Sequence, residues 1–430
     1  LPDTTVRLPD FVVPAGTDDT SYLGQLAFEG LLSVLGSKGI KENSPQFKDY
    51  NKRLNSELDV INSRGFAKYF LTMKAVVDKT NEVQLAGPGR GSAAGSLVAY
   101  ALGITHVDPI KYGLLFSRFL RADAKDYPDI DYDVSDPMVL KEKLIEDWGD
   151  DVVVPISNWN TLQLKSLIKD ISRLYEIEFS EVNPVTSKMI AEATPLAKAR
   201  HGIKAGIYAP TLSEVMEFSE SLQGFFRKYP KIEKHCRDLA GQVKSCSRHA
   251  GGVVIGEKLS QYMPLIASKG VRQTPWSEGQ NVRQLEPMGF IKFDILGLST
   301  LRMIEDCIEK ILRRHHGVAN PTFGDIRKFY NEKLHPDVLN LDDQAVYENI
   351  FHNKKWIGIF QFTENGAQTF ASQVKPRSII DISAITSIYR PGPLSAGVDR
   401  EYVEAHNNPE SVRYLNNTVR EVTQETHGFL

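Results

Sequence analysis

Apolar residues recur every three or four positions over long stretches of this chain. Between Ser44 and Thr80, Tyr50, Leu54, Leu58 and Ile61 share one helical face, as do Phe66, Phe70, Met73 and Val76, and Gly65 breaks the run. One more helix is predicted near Tyr22–Leu35, within an otherwise loop-rich 1–44. Residues 160–240 read as mostly helical, punctuated by Pro184, Pro195 and Pro210. Two short apolar runs read as buried strands: HAGGVVIG at 249–256, entered through glycines, and GFIKFDILGL at 289–298. A helix carrying Leu301, Ile304, Ile308 and Ile311 follows the second. Residues 336–430 are helical again, broken at YRPGPLSAG.

Residues 113–133 read as a helical turn followed by an acidic strand, within which PDIDYD places Asp129, Asp131 and Asp133 on one face. Side chains two apart on a strand stand roughly 7 Å from one another. Carboxylates so spaced can bridge two divalent ions about 3.5–4 Å apart. Mg²⁺ takes oxygen ligands and keeps waters, so few protein groups suffice. A solvated edge strand would carry the same residues.

LAGPGRGSAAGSLVAYALGI is a glycine-rich turn leading into a small-residue helix from about Ser92. Gly87, Gly89 and Gly91 permit close backbone approach to a ligand, and a helix opening at Ser92 would favour phosphate. Arg90 could add charge-assisted bonds. The loop is neither a Walker A motif nor GxGxxG, and a sterically required tight turn explains the glycines equally. Asp294 sits in an apolar strand and needs a partner or a metal. Lys292 is assigned to the opposite face of that strand, which leaves it a poor partner. A strand-end aspartate capping the next helix is the competing explanation. In YRPGP, Pro391 and Pro393 are expected to form a rigid turn that holds Arg390, although an ordinary loop would read the same. His249 suits a phosphate or ribose contact, or a satisfied histidine at the edge of the core.

The length, 430 residues with 41% hydrophobic and 24% charged, allows two or more packed units. A net charge of −3 argues only mildly against nucleic acid, because a basic groove can coexist with acidic catalytic groups. Between 161 and 258 there are 15 Lys and Arg against 11 Asp and Glu, a locally basic stretch. Cys236, Cys246 and Cys307 show no CxxC spacing; they read as reduced thiols of a cytosolic protein and supply no zinc site. The start at Leu1 and the stop on ETHGFL read as cut ends of a fragment, a processed piece or half of a split protein.

The motifs occur in an order that resembles the C family of bacterial replicative DNA polymerases, the alpha subunit of DNA polymerase III. GPGRGSAAGSLVAYALGITHVDPIKYGLLFSRFL is followed by PDIDYD, HAGGVVI, KFDILGL, GIFQF and YRPGPLSAG. The resemblance runs from about Tyr50 to the last residue and is weakest over about 135–240. It implies an α/β (α+β) fold: a polymerase beta-like nucleotidyltransferase palm with a mixed sheet, a helical thumb insertion and partial helical fingers. The palm would occupy 1–160 and 241–298, the thumb 161–240, and incomplete fingers 299–430.

The resemblance also implies template-directed DNA polymerisation by two-metal nucleotidyl transfer, with two Mg²⁺ ions as cofactor. The metal ligands would be Asp129, Asp131 and Asp294. Gly91 and Ser92 match the family's Gly-Ser triphosphate cradle, and Arg90, Lys292 and Arg390 are the candidate phosphate contacts. Asp133 and His249 are weaker candidates. Implied partners are primer-template DNA, a dNTP, a chain carrying the remaining fingers and C-terminal regions, and through that part a sliding clamp. No membrane is implied; the location is the cytoplasm of a bacterial or virus-infected cell. The tyrosine in PDIDYDVSD and the divergent thumb depart from the family pattern and fit a divergent, viral branch. Two rivals stand beside this: a DxD glycosyltransferase, which leaves Asp294 and the Gly-Ser loop unexplained, and a polymerase-derived module that binds DNA or replication subunits without turnover.

Overall fold

A computed structural model describes residues 3–123, 126–203, 208–268, 270–279 and 282–429. The reading of two cut ends falls on Leu1 and Leu430, which lie outside the described residues. The chain divides into two compact units, one of Leu1–Trp159 with Cys246–Leu339, the other of Asn160–Ser245 with Asn340–Leu430.

In the first unit, α1 (Asp19–Ser37) starts at Asp18, whose carboxylate accepts from the Ser21 N–H. Its buried residues Leu23, Ala27, Leu31 and Leu35 lie four apart on one stripe. α2 (Pro45–Ser63) has Ser44 as cap and Pro45 in its first turn, where the missing N–H costs nothing. It buries Tyr50, Leu54, Leu58 and Ile61, the face that the periodicity predicts. Gly65, at φ +71°, turns the chain into α3 (Ala67–Val83), which buries Phe70, Met73 and Val76. After the glycine loop comes α4 (Leu97–Ala101), and β1 (Asp131–Val134) leads to α5 (Pro137–Trp148).

The central sheet joins β1 to β2 (Val153–Thr161), β3 (Val243–Ile255) and β8 (Lys292–Gly297) in the order β1-β8-β3-β2. β8 runs parallel to β1 and antiparallel to β3. Two small hairpins intervene, β4 (Ile266–Ser268) with β5 (Val271–Gln273) and β6 (Glu278–Gly279) with β7 (Val282–Arg283). Strand alternation sorts the side chains. Tyr132, Val134, Val253, Ile255, Phe293 and Ile295 join the core built with α1–α5. Val154, Ile156 and Val254 pack instead with Leu259, Met263, Leu285 and Phe290. α11 (Ser299–His315) and α12 (Phe323–Lys333) follow β8 and bury Ile308, Leu312 and Tyr330 around Leu85.

The second unit contains α6 (Leu164–Leu174), α7 (Phe179–Arg200), α8 (Leu212–Phe218), α9 (Glu220–Lys228) and α10 (Pro230–Leu239), packed around Leu167, Ile168, Met189, Leu222 and Phe226. Pro184 and Pro195 lie inside α7 and do not end it, a difference from the sequence reading. Each proline removes one backbone donor; Ala193, Ala197, Met189 and Val182 still bury the helix against its neighbours, and tertiary packing outweighs that local penalty. Farther on come α13 (Gln344–Val346), α14 (Asn365–Val374), α15 (Ile379–Ile388), α16 (Pro391–Ser395), α17 (Val398–Asn407) and α18 (Asn417–Thr423). A separate core holds these, with Phe351, Phe362, Phe370, Ile385 and Tyr402.

Candidate metal and nucleotide site

The register of the sheet positions the acids. Asp131 on β1 lies directly across from Asp294 on β8, and Gly252 on β3 lies across from Asp294 on the other side. Asp129 lies just before β1. Its neighbour Ile130 is buried and donates its N–H to the Tyr69 hydroxyl at 3.2 Å. Tyr69 stacks on Phe293 at 5.1 Å, so one buried ring supports both acidic strands from the core side. Asp129, Asp131 and Asp294 each offer a carboxylate oxygen within 4.8 Å of the others.

Three carboxylates that close repel one another. Asp129 is exposed at the cavity mouth, yet partial desolvation, then the neighbouring Asp294, pushes it above the usual carboxylate range. Burial, then Asp129 and Asp294, does the same to Asp131. Asp294 is buried, and its Oδ1 makes no hydrogen bond. An orphaned buried oxygen beside two destabilised carboxylates, all hard oxygen donors, is what a divalent cation would satisfy. The residues present therefore fit such an ion.

Lys292 corrects the sequence reading. It was assigned the face opposite Asp294, but residues two apart on a strand share a face. Its Nζ lies 2.7 Å from Asp294 Oδ2. Asp133 separates from the acidic group: it is buried, and its Oδ1 accepts from Arg90 Nη1 at 3.0 Å. Burial raises its pKa, and Arg90 opposes the shift.

The glycine loop is sewn to the outer edge of β1. The Gly87 N–H donates to the Asp133 carbonyl at 2.8 Å, and the Ser135 N–H to the Leu85 carbonyl at 3.2 Å. A Cβ on Gly87 would lie 2.9 Å from the Asp133 Cβ, and one on Gly91, at φ +65°, would lie 3.1 Å from Asp131 Oδ2. Beyond Arg90 the helix predicted from Ser92 is instead a 3₁₀ turn, Gly91–Gly95, and the α-helix begins only after Ser96, whose hydroxyl caps it. The buried Glu57 explains the break. It accepts from the Ser96 hydroxyl and the Val98 N–H, and Arg53 binds both Glu57 and the Gly95 carbonyl. Ser92 is exposed on this turn.

His249 sits on β3 with Nδ1 accepting from the Gly251 and Gly252 N–H groups at 3.2 and 2.6 Å. An accepting Nδ1 puts the ring proton on Nε2. Burial and Lys292 lower its pKa. A Cβ on Gly252 would meet both His249 Nδ1 and Lys292 Cε at 3.0 Å, so glycine there lets the two side chains crowd beside Asp294.

A cavity of about 680 Å³ opens onto the acids, lined by Arg90, Asp129, Asp131, Lys292 and Asp294 together with the β6–β7 hairpin and Glu286. Arg283, also in its wall, pairs with Glu286 at 2.9 Å. Neither Arg283 nor Tyr69 stood out in the sequence. The signal for Arg283 was a basic residue in NVRQLEPMGFIKFD shortly before the Lys-x-Asp strand; for Tyr69 there was none beyond its place in an apolar stripe. Arg390 belongs to the second unit, where it lines a different cavity of about 750 Å³. Pro391 and Pro393 form the first turn of α16 and not a loop turn, because a proline's missing donor is harmless at a helix start.

A mixed sheet with helices on one face and clustered carboxylates on the other is a palm-type arrangement of the polymerase class. The chain belongs to the bacterial DNA polymerase III alpha family: the model of the alpha NTPase domain matches residues 21–297 and that of the alpha subunit finger domain residues 300–430. It is 32% identical to the DNA polymerase III subunit alpha of Aquifex aeolicus and 30% identical to that of Vibrio cholerae, in both cases over 100% of this chain and 36% of the relative. It is 30% identical to the corresponding subunit of Mycobacterium tuberculosis, over 99% of this chain and 34% of that protein. The chain thus spans about a third of the length of these relatives. The family implies divalent metal use. Among the described residues no helix is long and apolar enough to cross a membrane.

Proposed function

We propose that this chain carries the catalytic centre of a template-directed DNA polymerase that joins a dNTP to a primer 3′-hydroxyl, within a larger or split replicative polymerase. One observation carries the reading: Asp129 and Asp131, neighbours in PDIDYD, and Asp294, from a distant part of the chain, place carboxylate oxygens within 4.8 Å of one another in a polar cavity. The metal held there is Mg²⁺, two ions, as all-oxygen ligation favours. What the pair supplies when bound is a lowered pKa at the primer hydroxyl and charge stabilisation of the leaving pyrophosphate.

The protein's own groups hold and orient the reactants. Gly91 and Ser92 give the triphosphate close approach beside Asp131, and Arg90 and Lys292 are the cationic contacts to its phosphates. His249 presents an Nε2–H donor towards the phosphate or ribose. Asp133 sets the field at the rim by anchoring Arg90. In this reading the palm is 1–160 and 241–298, the thumb 161–240 and the fingers 299–430, with the basic surplus of the thumb gripping duplex phosphates. The remaining fingers and C-terminal regions of the relatives, and a sliding clamp recruited through them, complete the polymerase in the bacterial cytoplasm.

The test is incorporation of a labelled dNTP on a primed template, by this chain together with a polypeptide carrying those remaining regions. Extension is expected, with the chain alone much weaker, and Asp129→Ala should abolish it. Unchanged extension by Asp129→Ala would show that the acids do no catalysis, as expected of a module that only binds DNA.

A further inference from the structure

The second unit holds a cluster for which nucleotidyl transfer has no use. Asp381 lies in the first turn of α15, His406 in the last turn of α17, and His427 just after the 3₁₀ turn Gln424–Thr426. One ligand atom from each lies within 4.8 Å of the others. Asp381 Oδ2 accepts from the Arg377 N–H at 2.7 Å, which aims Oδ1 at His406 Nε2, 3.2 Å away. The His427 ring stands edge-on to that of His406, centroids 5.0 Å apart.

Two buried polar atoms beside this cluster lack partners. His406 is 7% exposed, and its Nδ1 is buried without a hydrogen-bond partner. Tyr402, whose ring lies 5.9 and 5.8 Å from the two imidazoles, buries its hydroxyl without a partner as well. Unmet polar atoms packed this densely are costly. Neutral imidazole is the form that ligates metal.

We propose that Asp381, His406 and His427 hold one divalent ion of the zinc class, which clips the segment after α18 to α15 and α17. Two nitrogens and one carboxylate oxygen match zinc or cobalt and not magnesium, whereas the all-oxygen triad of the first unit has the opposite preference. Ligands at about 2.0–2.2 Å around a tetrahedral ion stand roughly 3.4 Å apart, a spacing that the Asp381–His406 pair already has at 3.2 Å. A water completes the fourth position.

Cobalt(II) titration of the metal-stripped 430-residue chain, followed by visible absorption, tests this directly. One equivalent giving the intense bands of tetrahedral cobalt, displaced by equimolar zinc in millimolar Mg²⁺, is expected. His427→Ala, a change at a partly exposed position, should lose that equivalent, and His427→Cys should keep it with sulfur-shifted bands. The triple variant Asp129→Asn, Asp131→Asn, Asp294→Asn should retain it. Absence of the bands in the unsubstituted chain, their persistence in His427→Ala, or their loss in the triple variant would each overturn the assignment.

Discussion

The ammonium of Lys292 lies 2.7 Å from one oxygen of Asp294, and the other oxygen of that carboxylate is buried with no hydrogen-bond partner. Lysine thus shares the carboxylate that a metal would use. Lys292→Met should tighten Mn²⁺ binding to the nucleotide-free chain by about fivefold, the equivalent of ~1 kcal/mol, and weaken dNTP binding. Electron paramagnetic resonance of free Mn²⁺ measures the first and equilibrium dialysis the second. Weaker metal binding in the variant would mean that the lysine organises the acids and does not compete for them.

Asp129 is held above the usual carboxylate range by desolvation and Asp294, and Asp131 by desolvation, Asp129 and Asp294. A raised carboxyl pKa means that the folded state binds protons more tightly than the unfolded chain, so metal-free stability falls as pH rises from about 3.9 through the raised value. Asp131→Asn should therefore raise the melting temperature of the metal-free chain at pH 7. The gain should vanish below about pH 3.9, where the aspartate is neutral in both states. The rise in melting temperature produced by Mg²⁺ should shrink in the same variant. Thermal unfolding at several pH values, with and without Mg²⁺, checks all three.

Gly91 at φ +65° leaves only 3.1 Å between a hypothetical Cβ and Asp131 Oδ2. Gly91→Ala should cost about 1–2 kcal/mol from the left-handed backbone alone. It should also displace the Asp131 carboxylate and weaken divalent binding. Denaturant unfolding and metal titration separate the two effects.

Tyr69→Phe removes the acceptor for the Ile130 N–H from a fully buried site. The orphaned donor should cost about 1–3 kcal/mol. Because Ile130 links Asp129 to Asp131, metal affinity should drop as well, while the ring contact with Phe293 is kept. Stability lost with metal affinity intact would show that the hydroxyl only serves the core.

The helical layer was legible because its information is local. Tyr50, Leu54, Leu58 and Ile61 repeat at the helical period, and that stripe is the one buried. The candidate chemistry was legible as residue types, in PDIDYD, the glycine loop and KFD, but not as a geometry. Lys292 went to the wrong face because the apolar setting of Asp294 was read without the two-residue period that pairs them. Pro184 and Pro195 look like helix ends, yet burial along α7 outweighs the lost donors. Ser92 promised a helix start that Glu57 and Arg53, some forty residues upstream, move to Ser96.

By itself, then, the chain specified its amphipathic helices, its apolar strands and the kinds of side chain able to bind metal and phosphate. The parallel register that sets Asp131 across from Asp294 came only with tertiary structure, as did the meeting of Asp381, His406 and His427. Pairing between distant strands is decided by which side chains can be buried together on the helical face, here Tyr132 and Val134 with Phe293 and Ile295, and no local periodicity encodes that choice.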